Sequence, residues 1–485
     1  MKVKLNEVSL DRDIYPRQNE SPRTIASYVE ALKGGARFPP IEVQRIIVDE
    51  YGRKTERLIC LDGWHRLLAY REYNKQVTEG KISEIEARCW KDEPLDKDEH
   101  LEELRIRSAQ LNLKHGDRLS SSGLRFQLLR IVKDMPVERI KRGSGIVAEL
   151  AEAFGYSPSY ISSLVGEELR RRRAKRDAEI YRLLLLGWTQ EEIGDVFGLS
   201  RETVKAIGRE LTGQFTTIQQ QFERGKSVEE IAEYNGLDDI TTWAIVLQGK
   251  SDEERFKLFG KAEYQNNSPR LYNVWNFVKR DPRLGEKHPG NIPGQIAMNV
   301  LYYYTEQGDL VCDPMAGGGS TIDACLVMGR RCRAYDIAPT RVDILGQDLS
   351  EGFPERCKGC DLIFLDPPYW RLQRGFYTEE SVSEGGLEGW REFMRKVAVD
   401  SYQTVRPGGH VALVIEAFFD EKVTGKFLDL PFECLGYFRE AGFKEVQRIS
   451  IPMPSEIKSV QDVEYAKRKR IMLDLNRDLL IFRKE

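Results

Sequence analysis

Two short segments of this chain carry residue types whose order could do chemistry. The first, DLVCDPMAGGGSTIDACLVMG, runs from an apolar stretch at Leu310 to Cys312 through Asp313 and Pro314 into a turn holding Gly317, Gly318 and Gly319, with a helix expected from Ser320. At the carboxyl end of a parallel strand such glycines let backbone approach a ligand closely, and the helix N-terminus adds amide donors. Asp336 ends the next expected strand, RRCRAYD, twenty-three residues after Asp313. An acidic side chain there can accept hydrogen bonds from both hydroxyls of a ribose. Asp348, in ILGQDLS, ends the following strand and suits an adenine amine. The sequence has no Walker GxxxxGK[ST] run, so the spacing points to an adenosine site rather than a phosphate-centred one.

The second segment, CDLIFLDPPYWRL, places Asp366, Pro367, Pro368 and Tyr369 at the end of another apolar run. This quartet suits an exocyclic amine on a base ring, a poor nucleophile because its lone pair is delocalised. The Asp366 carboxylate and the Pro367 carbonyl can each accept one amine hydrogen. That draws the nitrogen towards sp³ and aims its lone pair at an electrophilic methyl group. Tyr369 can stack on the base, which must leave the duplex to be reached. Such catalysis is orientation and electrostatics, with no covalent enzyme intermediate.

In that order, DPMAGGGST and DPPY resemble the motifs of the S-adenosylmethionine-dependent amino-methyltransferases of DNA, which make N6-methyladenine or N4-methylcytosine. The resemblance covers about residues 273–484, including the closing RDLLIFRK strand typical of that fold. It implies that Asp313, Gly317 and Gly319, with Pro314, hold the methionine part of S-adenosylmethionine, Asp336 its ribose and Asp348 its adenine. Asp366, Pro367, Pro368 and Tyr369 would act on the target amine. Met315 stands where the family usually has Phe, a flexible apolar substitute that still packs on the cofactor. HPGNIPGQI occupies the place of a segment that closes over the methionine end; it keeps His288, Pro289 and Pro293 but lacks the usual Lys before the second Pro. DPPY leans towards adenine, since many cytosine-N4 enzymes carry Ser in place of Asp.

These motifs need a sheet to hold them, and the pattern along the chain supplies one. The chain reads as multidomain. An α+β part covers residues 1–115, an all-α middle covers 116–168 and 169–262, and an α/β, Rossmann-like part with a parallel sheet covers 263–485. The middle repeats an amphipathic helix, a Gly, a polar turn and a second helix, with marker glycines Gly155, Gly198 and Gly236 set 43 and 38 residues apart. This is the helix-turn-helix pattern, in which Gly supplies the left-handed turn and a small residue four positions earlier (Ala151, Gly194, Ala232) allows close packing. In the second copy Thr189 and Ser200 are the expected caps. Arg201, Thr203, Lys205 and Arg209 would project from the second helix towards phosphates and base edges of double-stranded DNA. The run Arg170, Arg171, Arg172, Arg173, Lys175 and Arg176 leads into that copy, and Arg171, Arg172 and Arg173 are expected on phosphates. Little room exists between the cofactor motif and DPPY for a target-reading domain, so reading the target falls to these helices and the N-terminal part.

FPPIEVQRIIV followed by LICLDGWHRLLAYREYN resembles the ParB-like (ParB/sulfiredoxin) domain, whose hallmark is Asp-Gly-x-His-Arg opening a helix. Gly63 at a helix start with His65 and Arg66 forms a candidate anion site. The resemblance implies a nucleoside triphosphate there, with Asn112 and His115 completing the pocket; nuclease chemistry and simple docking are the other roles left open.

The length of 485 residues exceeds one hydrophobic core, and 41% hydrophobic with 31% charged residues excludes a disordered or collagen-like chain. A net charge of −3 predicts no nucleic-acid partner globally, so any such surface is a local patch. No apolar run reaches a bilayer span, and the opening residues lack a signal-peptide core, which reads as cytoplasmic with no membrane partner. The eight cysteines read as reduced thiols, and Cys357 and Cys360 as a loop with two thiols rather than a zinc site. No metal is expected, and the oligomeric state is not legible. Two other functions fit the same motifs: a ParB-like DNA-binding or partition regulator with a non-catalytic cofactor domain, and an RNA base-amine methyltransferase. The combination of parts would suit a phage or mobile element.

Overall fold

The apolar runs that precede the acidic motifs form the inner strands of a seven-stranded sheet, as burial on both faces requires of parallel strands. This computed structural model describes residues 1–15, 19–50, 53–114, 121–136, 139–140, 145–288, 291–367, 386–420, 426–453 and 460–485. The chain divides into two units, Met1–Arg176 and Asp177–Glu485.

The sheet of the second unit comprises β1 (Leu310–Asp313), β2 (Arg331–Asp336), β3 (Ile344–Gly346), β4 (Cys360–Leu365), β5 (Val405–Glu416), β6 (Lys444–Pro452) and β7 (Asn476–Arg483). Their order is β3-β2-β1-β4-β5-β7-β6. The first five run parallel, and β7 is antiparallel to both its neighbours. Compared with the doubly wound order 3-2-1-4-5-6, one antiparallel strand has been inserted beside the fifth. Strand order reverses between β1 and β4, and ligands bind outside the carboxyl ends at such a switch point. Helix Ser320–Met328, which follows β1, is buried along its whole length. Helices Gly294–Tyr304 and Asp239–Val246 pack on it.

The Gly-punctuated helix pairs form where the pattern places them, with turn glycines at φ 70°, 57° and 68° for Gly155, Gly198 and Gly236. In the second pair, Thr189 and Glu192 make a capping box for helix Gln190–Phe197, and the Ser200 hydroxyl accepts from the Thr203 amide at the start of helix Arg201–Thr212. Gly194 must be small, since a Cβ there would lie 2.7 Å from the Leu199 carbonyl oxygen. Two features differ from the pattern reading. The basic run lies in the middle of a 28-residue helix, Pro158–Leu185, because nothing between Pro158 and Leu185 breaks helical periodicity. In the third pair every residue of helix Asp239–Val246 after its first is buried, so this copy presents no free reading face.

The second and third pairs lie in the same unit as the sheet. The Cys332 amide of β2 donates to the Leu186 carbonyl at 3.0 Å. Arg333 pairs with Glu192 at 2.9 Å. Arg330 reaches both carboxylate oxygens of Asp252 at 2.7 Å. The four stretches read from the pattern thus fall into two units.

The first unit opens with a six-stranded mixed sheet. Its central strand Ile41–Glu50 is antiparallel to Arg53–Asp62 and parallel to Glu84–Cys89. Helices Pro22–Lys33 and Trp64–Gln76 pack together beside it, and helices Leu101–Lys114, Ser121–Asp134 and Ile146–Phe154 follow. The reading of all cysteines as free thiols is corrected at one place. Cys312 and Cys357 form a disulfide with Cα atoms 5.6 Å apart, because the turn before β4 lies beside β1. Cys360, on β4, is free and buried. Among the described residues no helix is long and apolar enough to cross a membrane.

Candidate cofactor and target-amine site

Strand register decides where the acidic residues meet. Asp313 of β1 lies beside Ala334 of β2, and Cys312 lies beside Ile363 of β4. Asp336 and Asp366 therefore each sit two positions beyond the row of Asp313, on either side of it, at the carboxyl edge. Asp336, the last residue of β2, shares the pleat phase of Asp313, and Asp366 follows directly on β4. With neighbouring strands about 4.8 Å apart, the two flanking residues stand about 10 Å from each other.

Asp313 is buried, 3% exposed, and accepts from the Met315 amide at 3.1 Å. Burial pushes its carboxyl up to about 7, against the hydrogen bonds from Thr321 and Met315, and the carboxylates of Asp366 and Asp336 add to the rise. Asp336 accepts from the Gly317 amide at 2.9 Å through one oxygen and from the Ala338 amide at 3.0 Å through the other. Each oxygen keeps a second lone pair for a ligand hydroxyl. Gly317 and Gly319 adopt φ 50° and 78°, a conformation open to glycine at little cost. Pro314 is buried and Met315 packs against the core beside the sheet. Asp348 lies two residues past β3, where its carboxylate caps a short 3-10 turn by accepting from the Ser350 amide at 2.8 Å. Asp366 is half-buried and Pro367 buried just after β4. Pro368, Tyr369 and the adjoining Trp370 lie outside the described residues.

The HPGNIPGQI segment meets the glycine-rich loop from the other side. Asn291 accepts from the Gly318 amide at 3.2 Å, and a Cβ on Gly317 would lie 3.2 Å from His288 Nδ1. Pro289 is outside the described residues. Asn291 is a loop partner that motif reading missed, although it falls inside the quoted segment.

The expected DNA-reading residues divide. Arg201, Thr203, Lys205 and Arg209 are exposed on helix Arg201–Thr212, whose Val204 and Ile207 face inward. Arg201 pairs with Glu191 at 3.1 Å. In the basic run Arg171 is exposed beside Glu168 at 3.1 Å, but Arg172 does not point outward. It donates to the Val132 and Met135 carbonyls at the end of helix Ser121–Asp134. Arg173 is half-buried, and Arg176 is buried with a 3.0 Å hydrogen bond to the Ile140 carbonyl. The expectation of phosphate contact is thereby corrected for Arg172, since unpaired carbonyls at a helix end hold a guanidinium.

In the first unit, Gly63, His65, Arg66 and Asn112 line a cavity of ≈ 450 Å³ together with Tyr15 and Arg88. Gly63 sits at φ 97° as the N-cap of helix Trp64–Gln76. His65 Nε2 accepts from the Ser21 amide at 3.0 Å and lies 3.3 Å from the Tyr15 hydroxyl. Arg66 donates to Asp62 at 2.5 Å and to the Pro39 and Pro40 carbonyls at 2.6 and 3.1 Å. Its guanidinium thus lines the cavity while tied to these three acceptors. Arg88 is exposed. His115 is outside the described residues.

Residues 207–347 match the family described as DNA methylase. That span takes in the third helix pair, the glycine-rich loop and Asp336, and ends before Asp348 and Asp366. No curated protein matches the chain. Among solved structures, the chain is similar to TTHA0409 from Thermus thermophilus complexed with S-adenosyl-L-methionine, at 20% identity over 28% of this chain and 48% of that one, with a TM-score of 0.20. TrmN from Thermus thermophilus is similar at 17% identity over 41% and 50% of the two chains, TM-score 0.25. A methyltransferase from Pyrococcus furiosus is similar at 16% identity over 48% and 96%, TM-score 0.27. The chain spans about half the length of the first of these. TM-scores of this size leave strand order to define the fold. The match to the DNA methylase family lies wholly within the second unit.

Because the Asp313 carboxyl is raised from 3.8 to about 7, the folded protein holds a proton there that the unfolded chain releases. Its contribution to stability is complete below the unfolded value and declines as pH rises to about 7, by up to about 1.4 kcal/mol per pH unit. Asp313→Asn should remove this decline. Urea midpoints of both proteins between pH 4 and 8 check it, and parallel pH profiles would refute it.

Proposed function

We propose that the second unit transfers a methyl group from S-adenosylmethionine to an exocyclic amine of a DNA base extruded from the duplex, N6 of adenine in preference to N4 of cytosine. The observation that carries this reading is the placement of Asp336 and Asp366 on either side of Asp313 at one carboxyl edge. The cofactor supplies an electrophilic methyl on a sulfonium centre. The residues present fit it, with carboxylates for its ammonium and ribose hydroxyls and a glycine-rich turn for close approach. Asp313, with Gly317 and Gly319, binds the amino-acid end, Asp336 accepts from the ribose hydroxyls, and Asp348 takes the adenine amine through the oxygen not used in its cap. Asp366 and the Pro367 carbonyl accept the two hydrogens of the target amine and orient its lone pair. Tyr369 stacks on the extruded base. As the amine takes the methyl from the sulfonium, whose S–CH3 bond breaks to leave a neutral thioether, it loses one proton, which Asp366 would receive.

Helix Arg201–Thr212 is the reader of the duplex in this proposal, through Arg201, Thr203, Lys205 and Arg209. A helix of this kind favours DNA over RNA, whose narrow major groove side chains cannot enter. For the first unit we propose a nucleotide in the cavity at Gly63, which has the size of a small-molecule site. Arg88 is its outward-facing cation, and Arg66 would have to exchange Asp62 for a phosphate.

Asp366→Ala should lower methyl transfer at least about a hundredfold, with cofactor affinity unchanged. Nucleoside mass spectrometry of DNA incubated with the full chain and S-adenosylmethionine reads this and separates N6-adenine from N4-cytosine; undiminished transfer would remove the catalytic role.

Replacing Arg201, Lys205 and Arg209 together with Ala should weaken DNA binding and reduce the slope of log K against log salt by up to about 3, at roughly 0.9 per phosphate contact. An unchanged slope would count against this helix.

At the first unit, equilibrium dialysis with the four ribonucleoside triphosphates should show binding of at least one, weakened by Arg88→Ala. Binding of none would dismiss the nucleotide.

A further inference from the structure

Beside the glycine-rich loop lies a closed set of buried charges that no step above uses. Arg182 comes from helix Pro158–Leu185, Asp323 from helix Ser320–Met328, and Arg341 and Asp343 from the connection between β2 and β3. Arg182 donates to Asp343 at 2.8 Å and also meets Asp323. Arg341 donates to Asp343 at 2.9 and 2.7 Å and to Asp323 at 2.9 and 3.2 Å. Two guanidiniums therefore balance two carboxylates. Burial works against both guanidiniums, and the carboxylates of Asp323 and Asp343 outweigh it. Asp343 responds in the same way: burial raises it, but Arg341 and Arg182 hold it down at about 2. Arg182, Arg341 and Asp343 stay charged at neutral pH.

Two donors reach out of this set, Arg182 to the Asp238 carboxylate at 3.2 Å and Arg341 to the glycine-rich loop. Arg341 Nη1 donates to the Gly318 carbonyl at 3.1 Å. The guanidinium lies so close to Gly319 that a Cβ there would be 2.3 Å from Nη1. The amide of the same peptide unit, Gly319 N, donates to the Ala316 carbonyl at 2.8 Å, and the Glu286 amide donates to the Gly318 carbonyl at 2.8 Å. One residue earlier, the Gly317 amide is held by Asp336. The orientation of the peptide between Gly318 and Gly319 is thus fixed at both ends, and Arg341 is the one charged side chain among the described residues hydrogen-bonded to it.

We infer that Arg341 is a positioning residue for the cofactor. The charge set fixes its guanidinium, and the guanidinium fixes the Gly318 carbonyl and with it the turn that meets S-adenosylmethionine. This rests on the proposal that the second unit binds that cofactor. A lysine cannot replace it, because a single ammonium does not span Asp323, Asp343 and a carbonyl at once. Asp238, the N-cap of helix Asp239–Val246, touches the same set through Arg182 at 3.2 Å, so the third helix pair braces the loop.

The test compares the full chain with Arg341→Lys and with Asp252→Asn, which disturbs the buried Arg330 pair away from the loop. Arg341→Lys should raise the KM for S-adenosylmethionine at least tenfold while kcat at saturating cofactor and the KM for DNA change less than threefold. Asp252→Asn should lower the melting temperature and leave the cofactor KM within twofold. If Arg341→Lys does not fold, Arg341→Met is measured with the same expectation. A cofactor KM within twofold of the unsubstituted chain for the folded Arg341 variant, or an equal rise in Asp252→Asn, would overturn the positioning role. Failure of the unsubstituted chain to bind S-adenosylmethionine in equilibrium dialysis would instead overturn the proposed function.

Discussion

A parallel strand can be joined to its neighbour only through a crossover, so the carboxyl ends of all such strands collect on one edge of the sheet. In this protein that constraint carries the chemistry. Asp313, Asp336 and Asp366 are separated by 23 and 30 residues of sequence, yet β2, β1 and β4 are adjacent and in register, so the three carboxylates share one short edge. The middle one, Asp313, is raised to about 7 first by burial and then by its two neighbours. A bound cation would relieve that strain, and a methyl donor with a positive sulfonium and an ammonium is such a cation.

Negative charge gathered at one edge needs a rigid mount, and the second unit builds it from buried arginines. Arg330 pairs with Asp252, Arg333 with Glu192, and Arg182 and Arg341 with Asp323 and Asp343. Buried pairs of this kind add little net stability, because desolvation offsets their attraction. They do exclude arrangements in which one partner is left alone, at about 3–5 kcal/mol for each broken pair. Arg330, Arg333 and Arg182 each join a helix of the middle segment to β2, to the residue before it or to the helix after β1. The helical segment 177–260 is therefore packed into the same unit as the sheet, and of these pairs only those of Arg182 and Arg341 adjoin the glycine-rich loop.

The three helix pairs show how one local signal takes three tertiary roles. Each has an amphipathic first helix and a left-handed glycine, and each second helix begins at a Ser or Asp residue suited to capping. The second keeps an exposed basic face, with Arg201, Lys205 and Arg209 four residues apart along one side. The third has its second helix buried against helix Ser320–Met328. The first runs on into a 28-residue helix whose arginines turn partly to carbonyls of their own unit. Capping and turn chemistry act within four residues, so they leave this division undetermined.

The sequence by itself determined what depends on neighbours along the chain. Apolar runs gave the strands, Thr189 and Ser200 the helix caps, Gly155, Gly198 and Gly236 the turns, and acidic residues after Leu310–Cys312 and Cys360–Leu365 the strand ends. The tertiary structure decided what depends on residues far apart. It made Arg66 a partner of Asp62 and the Pro39 and Pro40 carbonyls, and it turned Arg172 to a helix end. It also paired Cys312 with Cys357 and brought Asn291 and Arg341 to the glycine-rich loop. The physical reason is the same in each case: a charged or polar side chain is satisfied by whichever group burial brings within about 3 Å, and no periodicity or spacing in the chain records which group that will be.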